Sequence, residues 1–156
     1  MPVHREERHL PWSQEQMFDL VADVGRYPEF LPWCTAARIR KREGDVFWAD
    51  LVIGFKMFRE RFTSRVELQR PDRLDVSYTE GPFKRMHNQW LFRAEPDGTC
   101  IIEFDIDFEF RNALLQKAIG MLFHEAVRRM VGAFEARARE LYGPGAGGTV
   151  ERAPTS

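Results

Sequence analysis

Between Ala36 and Phe110 the chain alternates apolar and polar residues with a period of two, and the alternation is clearest at its end. Cys100, Ile102, Phe104, Ile106, Phe108 and Phe110 fall on one face, while Glu103, Asp105, Asp107 and Glu109 fall on the other. A segment of this kind is a strand with one buried and one wet face. Turn-forming breaks at Glu43-Gly44-Asp45, Gly54 to Met57, Pro71-Asp72, Gly81-Pro82 and Pro96-Asp97-Gly98 divide the stretch into six strands. An apolar sheet face must be covered, and the period changes to suit. Asn112 is placed to cap a helix running to Tyr142, with Leu115, Ile119, Leu122, Met130, Phe134 and Leu141 in its apolar stripe and Gly143-Pro144 as its stop. A helix of that length spans about 45 Å and a twelve-residue strand about 40 Å, so one unbroken helix is expected to cover the sheet.

The N-terminal part completes the layout. Val3 to Leu10 is extended and charged, as an edge strand would be, which brings the expected strands to seven. Ser13 with Gln16 three residues later forms a capping-box signature ahead of Met17, Phe18, Leu20, Val21 and Val24, and this helix is expected to end at Gly25. Pro28 and Pro32 leave room for at most a short helical turn, so the aromatic residues of 27–34 are expected on a loop. Residues 1–142 then form a single domain. Residues 143–156, rich in Gly and lacking apolar period, are expected to be a disordered tail.

Composition narrows the function. The 156 residues carry 23 Lys+Arg against 24 Asp+Glu, so the molecule as a whole has no electrostatic reason to seek nucleic acid. Thirteen Phe call for either a bulky core or a lined space. Cys34 and Cys100 form no C-x-x-C pair and are expected as buried free thiols in a reducing compartment. The first residues are charged and lack an apolar signal region, and no window approaches 18 apolar residues. The expected location is therefore cytoplasmic, with contact to a membrane surface left open.

Catalytic and metal signatures do not assemble. His124-Glu125 lacks a second histidine at Arg128, His4, His9, His87 and His124 are not spaced as ligands, and the glycines at 143–148 precede no helix. Strand parity instead turns Glu60, Ser64, Tyr78 and Asn88 inward among apolar neighbours. Either they are structurally satisfied, Glu60 near an open rim or beside an arginine, or they face a cavity and orient a ligand's polar end. Gly120 and Gly132 interrupt the long helix and are read as making room for the sheet or for a ligand.

Three strings sharpen the picture. They are Tyr27-Pro28-Glu29-Phe30-Leu31-Pro32-Trp33-Cys34, Gly81-Pro82-Phe83-Lys84-Arg85-Met86 running on to Trp90-x-Phe92, and Phe104-x-Ile106-x-Phe108-x-Phe110 with Leu114-Leu115. Over residues 2–142 the chain resembles the coenzyme Q-binding START-like family of the polyketide cyclase/dehydrase and lipid-transport superfamily, and also its bacterial ribosome-association toxin A branch. The resemblance implies an α+β helix-grip fold (START/Bet v 1-like), a curved seven-stranded antiparallel sheet wrapped around a long C-terminal helix. It implies a non-enzymatic binder of ubiquinone or a similar isoprenoid lipid, supporting respiration or quinone biosynthesis, with the quinone as ligand and no other cofactor. A ribosome-binding inhibitor of subunit association is the first alternative, and a cyclase/aromatase-like enzyme the second.

On this fold, the expected cavity lining is Phe47, Phe55, Glu60, Phe62, Tyr78, Asn88, Trp90, Phe92, Phe104, Phe108, Ile119 and Leu122. Alternating strands put the turns at 54–57 and 81–83, the 27–33 loop and the start of the long helix at one end. That end holds Phe30, Leu31, Trp33, Lys56, Met57, Phe58, Phe83, Lys84 and Arg85, with Arg59 and Arg111 beside them. Apolar tips among cations suit a portal resting on an anionic bilayer, with the protein a monomer. The ribosome alternative uses outward Arg38, Arg40 and Arg42 with Arg59, Arg61 and Arg65. The acidic row of the last strand is expected to pair with Arg85, His87 and Arg93.

Overall fold

A computed structural model describes residues 3–55 and 58–145, the side chains of Phe55 and Phe58 excepted. The seven strands are β1 (Val3–Leu10), β2 (Cys34–Glu43), β3 (Val46–Phe55), β4 (Phe58–Gln69), β5 (Arg73–Glu80), β6 (Phe83–Ala94) and β7 (Cys100–Phe110). All neighbours are antiparallel, in the order β1-β7-β6-β5-β4-β3-β2, so every connection from β2 onward is a hairpin and β1 closes on the last strand. The breaks expected between strands fall where the structure turns.

Helix α1 (Gln14–Ala22) begins with the expected capping box: the Ser13 Oγ accepts from Gln16 N at 3.1 Å, and the Gln16 side-chain oxygen accepts from Ser13 N at 2.9 Å. It ends before Gly25 because a 3-10 turn, Val24–Glu29, takes over and carries Pro28 within it. Its buried face, Met17, Phe18, Leu20 and Val21, joins Trp12 and Phe92 in the core. Phe18 meets Phe92 edge to face, their ring centres 5.5 Å apart.

The covering helix departs from expectation. It is two helices, α2 (Ala113–Gly120) and α3 (Phe123–Tyr142), separated at Met121 and Leu122. Asn112 caps α2 as expected, its Oδ1 accepting from Leu114 N and Leu115 N at 2.9 and 3.1 Å. Gly120, a poor helix former, ends the first piece. Buried Leu115, Phe123, Val127 and Val131 nevertheless keep four-residue steps across the break, so the apolar period alone does not reveal it. The glycines do not make room for close packing: a methyl group at Gly120 or Gly132 would meet nothing within 4 Å.

Gly143 ends α3 with a φ of 73°, and its carbonyl accepts from the Trp12 indole at 2.8 Å. Gly145 lies against Pro11. Residues 143–145 of the expected tail thus fold back on the N-terminal segment, and residues 146–156 lie outside the described residues. No helix among the described residues is long and apolar enough to cross a membrane.

Candidate ligand cavity

The concave sheet face and the two C-terminal helices do not meet everywhere. Between them lies a cavity of about 300 Å³, at the lower end of the ~300–1,000 Å³ typical of small-molecule sites. Its sheet wall includes Leu51, Ile53, Phe62, Ser64, Val66, Val76, Met86, Asn88, Trp90, Phe104, Ile106 and Phe108. Ile119, Leu122, Phe123, Val127, Met130 and Phe134 close it from the helices, and Tyr27, Leu31, Trp33 and Cys34 from the loop before β2. Among the described residues the wall contains no Lys, Arg, His, Asp or Glu.

Of the residues expected there, Phe62, Asn88, Trp90, Phe104, Phe108, Ile119 and Leu122 do line this space. Others lie elsewhere for reasons that parity alone cannot express. Phe47 is fully buried at the far end of β3, beneath the Arg42 guanidinium, and Phe92 is packed against Phe18. Tyr78 turns aside: its hydroxyl accepts from Phe83 N at 3.2 Å, and its ring meets that of Phe83. Glu60 is half-buried toward the β3–β4 turn, outside the wall, and makes no ion pair among the described residues. The Phe55 side chain lies outside the described residues.

Several lining residues went unassigned from sequence. Leu51 and Ile53 share the parity of Phe47, and Val127 continues the stripe of Leu115, so both were within reach of periodicity. Tyr27 and Cys34 carried no such signal. Trp33 takes a positive φ of 68°, and its ring joins the wall.

The wall holds few titratable groups, and burial keeps them neutral. It pushes the Cys34 thiol up to about 11, and raises the Tyr27 phenol well above its ordinary value while that hydroxyl donates to the Val21 carbonyl. Two polar side chains complete the inventory. The Asn88 amide donates only to the Met86 sulfur, at 3.5 Å. Ser64 is 2% exposed, and its Oγ has no partner among the described residues. Leaving a buried hydroxyl unpaired costs about 1–3 kcal/mol.

The expected portal is rearranged. Gly54 N bonds to Trp33 O, and Arg111 N to Pro82 O, each at 2.8 Å, so the loop, the turn and the start of α2 do gather at this end. The described aromatic side chains there are turned toward the protein. Phe83 is 5% exposed and stacks on Phe110, while Phe30 packs against Tyr27 and Phe134. Leu31 and Trp33 are half-buried wall residues. Lys84 reaches Glu109 at 3.5 Å, and Arg85 binds Asp107 and Glu109 at 2.8 Å each, so these cations answer the acidic row of β7. Lys56 and Met57 lie outside the described residues, as does the Phe58 side chain. Among the described residues, the exposed apolar side chains at this end are Leu114 (74%), Met121 (85%) and Leu122 (39%), on α2 and in the break after it.

His4 and His124 meet between β1 and α3. Their Nδ1 atoms share a hydrogen at 2.8 Å, and the other nitrogen of His4 bonds to Glu6 at 2.9 Å. Among the described residues, no cluster of three or more His, Cys, Asp or Glu could hold a metal.

A curved antiparallel sheet gripping C-terminal helices around an apolar hollow defines the helix-grip fold. The chain belongs to the polyketide cyclase/dehydrase and lipid transport family, whose model matches residues 10–135. It is 37% identical over 134 residues to the ribosome association toxin RatA of Pseudomonas aeruginosa, spanning 86% of this chain and 93% of that protein. It is 33% identical over 145 residues to the mitochondrial coenzyme Q-binding protein COQ10 homolog B of Xenopus laevis, spanning 90% of this chain and 59% of the other. A START superfamily protein from Mycobacterium smegmatis shares the fold with a TM-score of 0.78 at 17% identity, over 89% of this chain and 98% of that one.

Proposed function

We propose that the protein is a non-enzymatic binder of a quinone-type isoprenoid lipid, held in the cavity between the sheet and α2–α3. The observation that carries this is the uncharged, aromatic-rich wall around a space of about 300 Å³. Apolar area removed from water there contributes roughly 25 cal/mol per Å², and a relative named for coenzyme Q binding supports the ligand class. The neutral thiol of Cys34 and the committed hydroxyl of Tyr27 favour binding over catalysis. Solvent extraction of the purified protein followed by mass spectrometry tests the proposal. An isoprenoid quinone in stoichiometric amount is expected; its absence from repeated preparations, with no uptake of added quinone, would overturn the reading.

Loading from an anionic membrane is part of the same proposal. Leu114 and Met121 project beside Lys117 and Arg111 at the end where Leu122 is at once exposed and part of the cavity wall. Replacing Leu114 and Met121 by Asp is expected to abolish co-sedimentation with phosphatidylglycerol vesicles while leaving the thermal midpoint unchanged. Undiminished co-sedimentation would count against docking.

Ribosome binding is the second reading, supported by the name of the Pseudomonas relative and by one surface feature. Arg59 and Arg61 make no ion pair among the described residues, whereas Arg38 and Arg40 are held by Asp50, and Arg65 by Glu67. Binding through such cations would fall steeply as salt is raised. Ribosome co-sedimentation that is absent even at low salt would remove this reading.

A further inference from the structure

Ser64 and Asn88 stand on opposite sides of β5. Ser64 of β4 pairs with Tyr78, and Asn88 of β6 pairs with Val76, so the two polar groups are two strands apart and offset by two residues. At ~4.8 Å between strands and ~3.4 Å per residue, their Cα positions are roughly 12 Å apart on an unrolled sheet. Val76 forms the floor between them, and all three belong to the cavity wall. Ser64 lies six residues into β4 from Phe58, about 20 Å along the strand from its start.

Neither side chain is used by the fold. Among the described residues the Ser64 hydroxyl is buried without a partner, and the Asn88 amide donates to nothing better than a thioether. A protein that needed only an apolar wall at these places would be served by Ala and Leu. Both groups can donate a hydrogen bond to a ligand seated over Val76.

We infer that Ser64 and Asn88 form a head-group subsite for a neutral ring bearing oxygen acceptors on opposite edges, with the ligand's head inward and its chain leading out past Leu122. The inference deepens the proposed function and rests on it. A p-quinone or a related para-dioxygenated ring has the required chemistry. A fatty acid or phospholipid head does not, because the wall offers no cation to meet its charge, and an unpaired ion is strongly disfavoured there. The space of about 300 Å³ also cannot enclose a long polyprenyl chain, so most of such a chain remains outside or at the mouth.

The test compares two probes by quenching or shift of tryptophan fluorescence, since Trp90 lies in the wall. One is a decyl-substituted p-benzoquinone, the other decylbenzene, which keeps ring and chain but lacks the oxygens. For the native protein the quinone is expected to bind about tenfold or more tightly than the hydrocarbon, the amount one well-made buried hydrogen bond supplies. S64A and N88L are each expected to lose that preference, with hydrocarbon affinity unchanged. The S64A thermal midpoint should be unchanged or higher, because an unpaired hydroxyl has been removed. Equal binding of both probes by the native protein, or equal losses for both probes in the variants, would overturn the subsite while leaving the cavity reading intact. Failure of the native protein to bind either probe would overturn both.

Discussion

Cys34 and Cys100 are buried free thiols, and burial pushes each up to about 11, against an ordinary value of about 8.5. The reactive thiolate is therefore scarce at neutral pH. Iodoacetamide at pH 8 should alkylate the folded protein at least tenfold more slowly than the urea-unfolded chain, as followed by mass spectrometry; matching rates would show that the wall opens readily. Gly81 makes the opposite kind of demand. It takes a φ of 142°, and a methyl group there would come within 2.6 Å of Phe62 Cβ and 2.9 Å of its Cα. G81A should therefore lower the denaturation midpoint by more than the ordinary effect of about 1 kcal/mol for a point mutation. At this scale the sequence was informative about direction. Parity turned Phe47, Phe62, Tyr78, Asn88 and Phe92 to one side of the sheet, but it carries no depth along a strand. Depth is what separates Phe62 and Asn88 in the wall from Phe47 and Phe92 in the core. Whether Ser64 finds a partner depends on its neighbours across the strands, which no single strand encodes.

Helix α3 is tied to the turn before β2 by Arg137. Its guanidinium binds Glu29 at 2.6 Å and Glu140 at 2.9 Å, and lies over the ring of Phe30. The hydrogen bond from Arg137, aided by Arg26, holds the Glu29 carboxyl below its ordinary value of 4.5. A lowered carboxylate stabilises the fold above the unfolded value and loses that contribution as pH falls through the folded one. The native thermal midpoint should thus exceed that of E29Q at pH 7, and the difference should shrink as pH drops below about 4.5. A gap independent of pH would deny the clamp. Gly132, in the middle of α3, has open space where a methyl group would go, so G132A should stabilise the protein by about 1 kcal/mol, seen as a higher urea midpoint at unchanged slope. Elements were the most legible level of this protein. All strands, the capping box of α1 and the cap at Asn112 fall where alternation and turn residues put them. The break at Met121–Leu122 escaped because the stripe from Leu115 to Val131 keeps step across it, and only Gly120 marks the place.

For the whole molecule, a ligand that fills the cavity binds the folded state alone. At a hundredfold excess over its dissociation constant it should add about 2.7 kcal/mol, or roughly 5–10 °C in thermal midpoint for a chain of this size. Thermal scans with and without the decyl quinone check this, and an unchanged midpoint at saturating ligand would contradict cavity binding. The near-neutral net charge, −1, conceals local structure. In the acidic row of β7, Glu103 is matched by Arg93, Asp107 by Arg85, and Glu109 by Lys84 and Arg85, while Arg59 and Arg61 make no ion pair among the described residues. Composition gave the aromatic excess, but only the assembled sheet divides it into core, wall and mouth.

The pairing of β1 with β7 sets an order of events during folding. Strands β2 to β7 can zip together as successive hairpins, each closing a short loop, whereas Val3 must find Asp107 at the other end of the sheet. Contacts of such sequence separation are slow to form. Strand β1 is therefore expected to be seated only after β7 has formed. Until β7 has emerged and paired with it, the edge of β7 and the underside of Trp12 have no cover. The step that seats β1 also brings His4 against His124 and Trp12 against Gly143, so it ties β1 and the segment after it to α3 and its C-terminal stop.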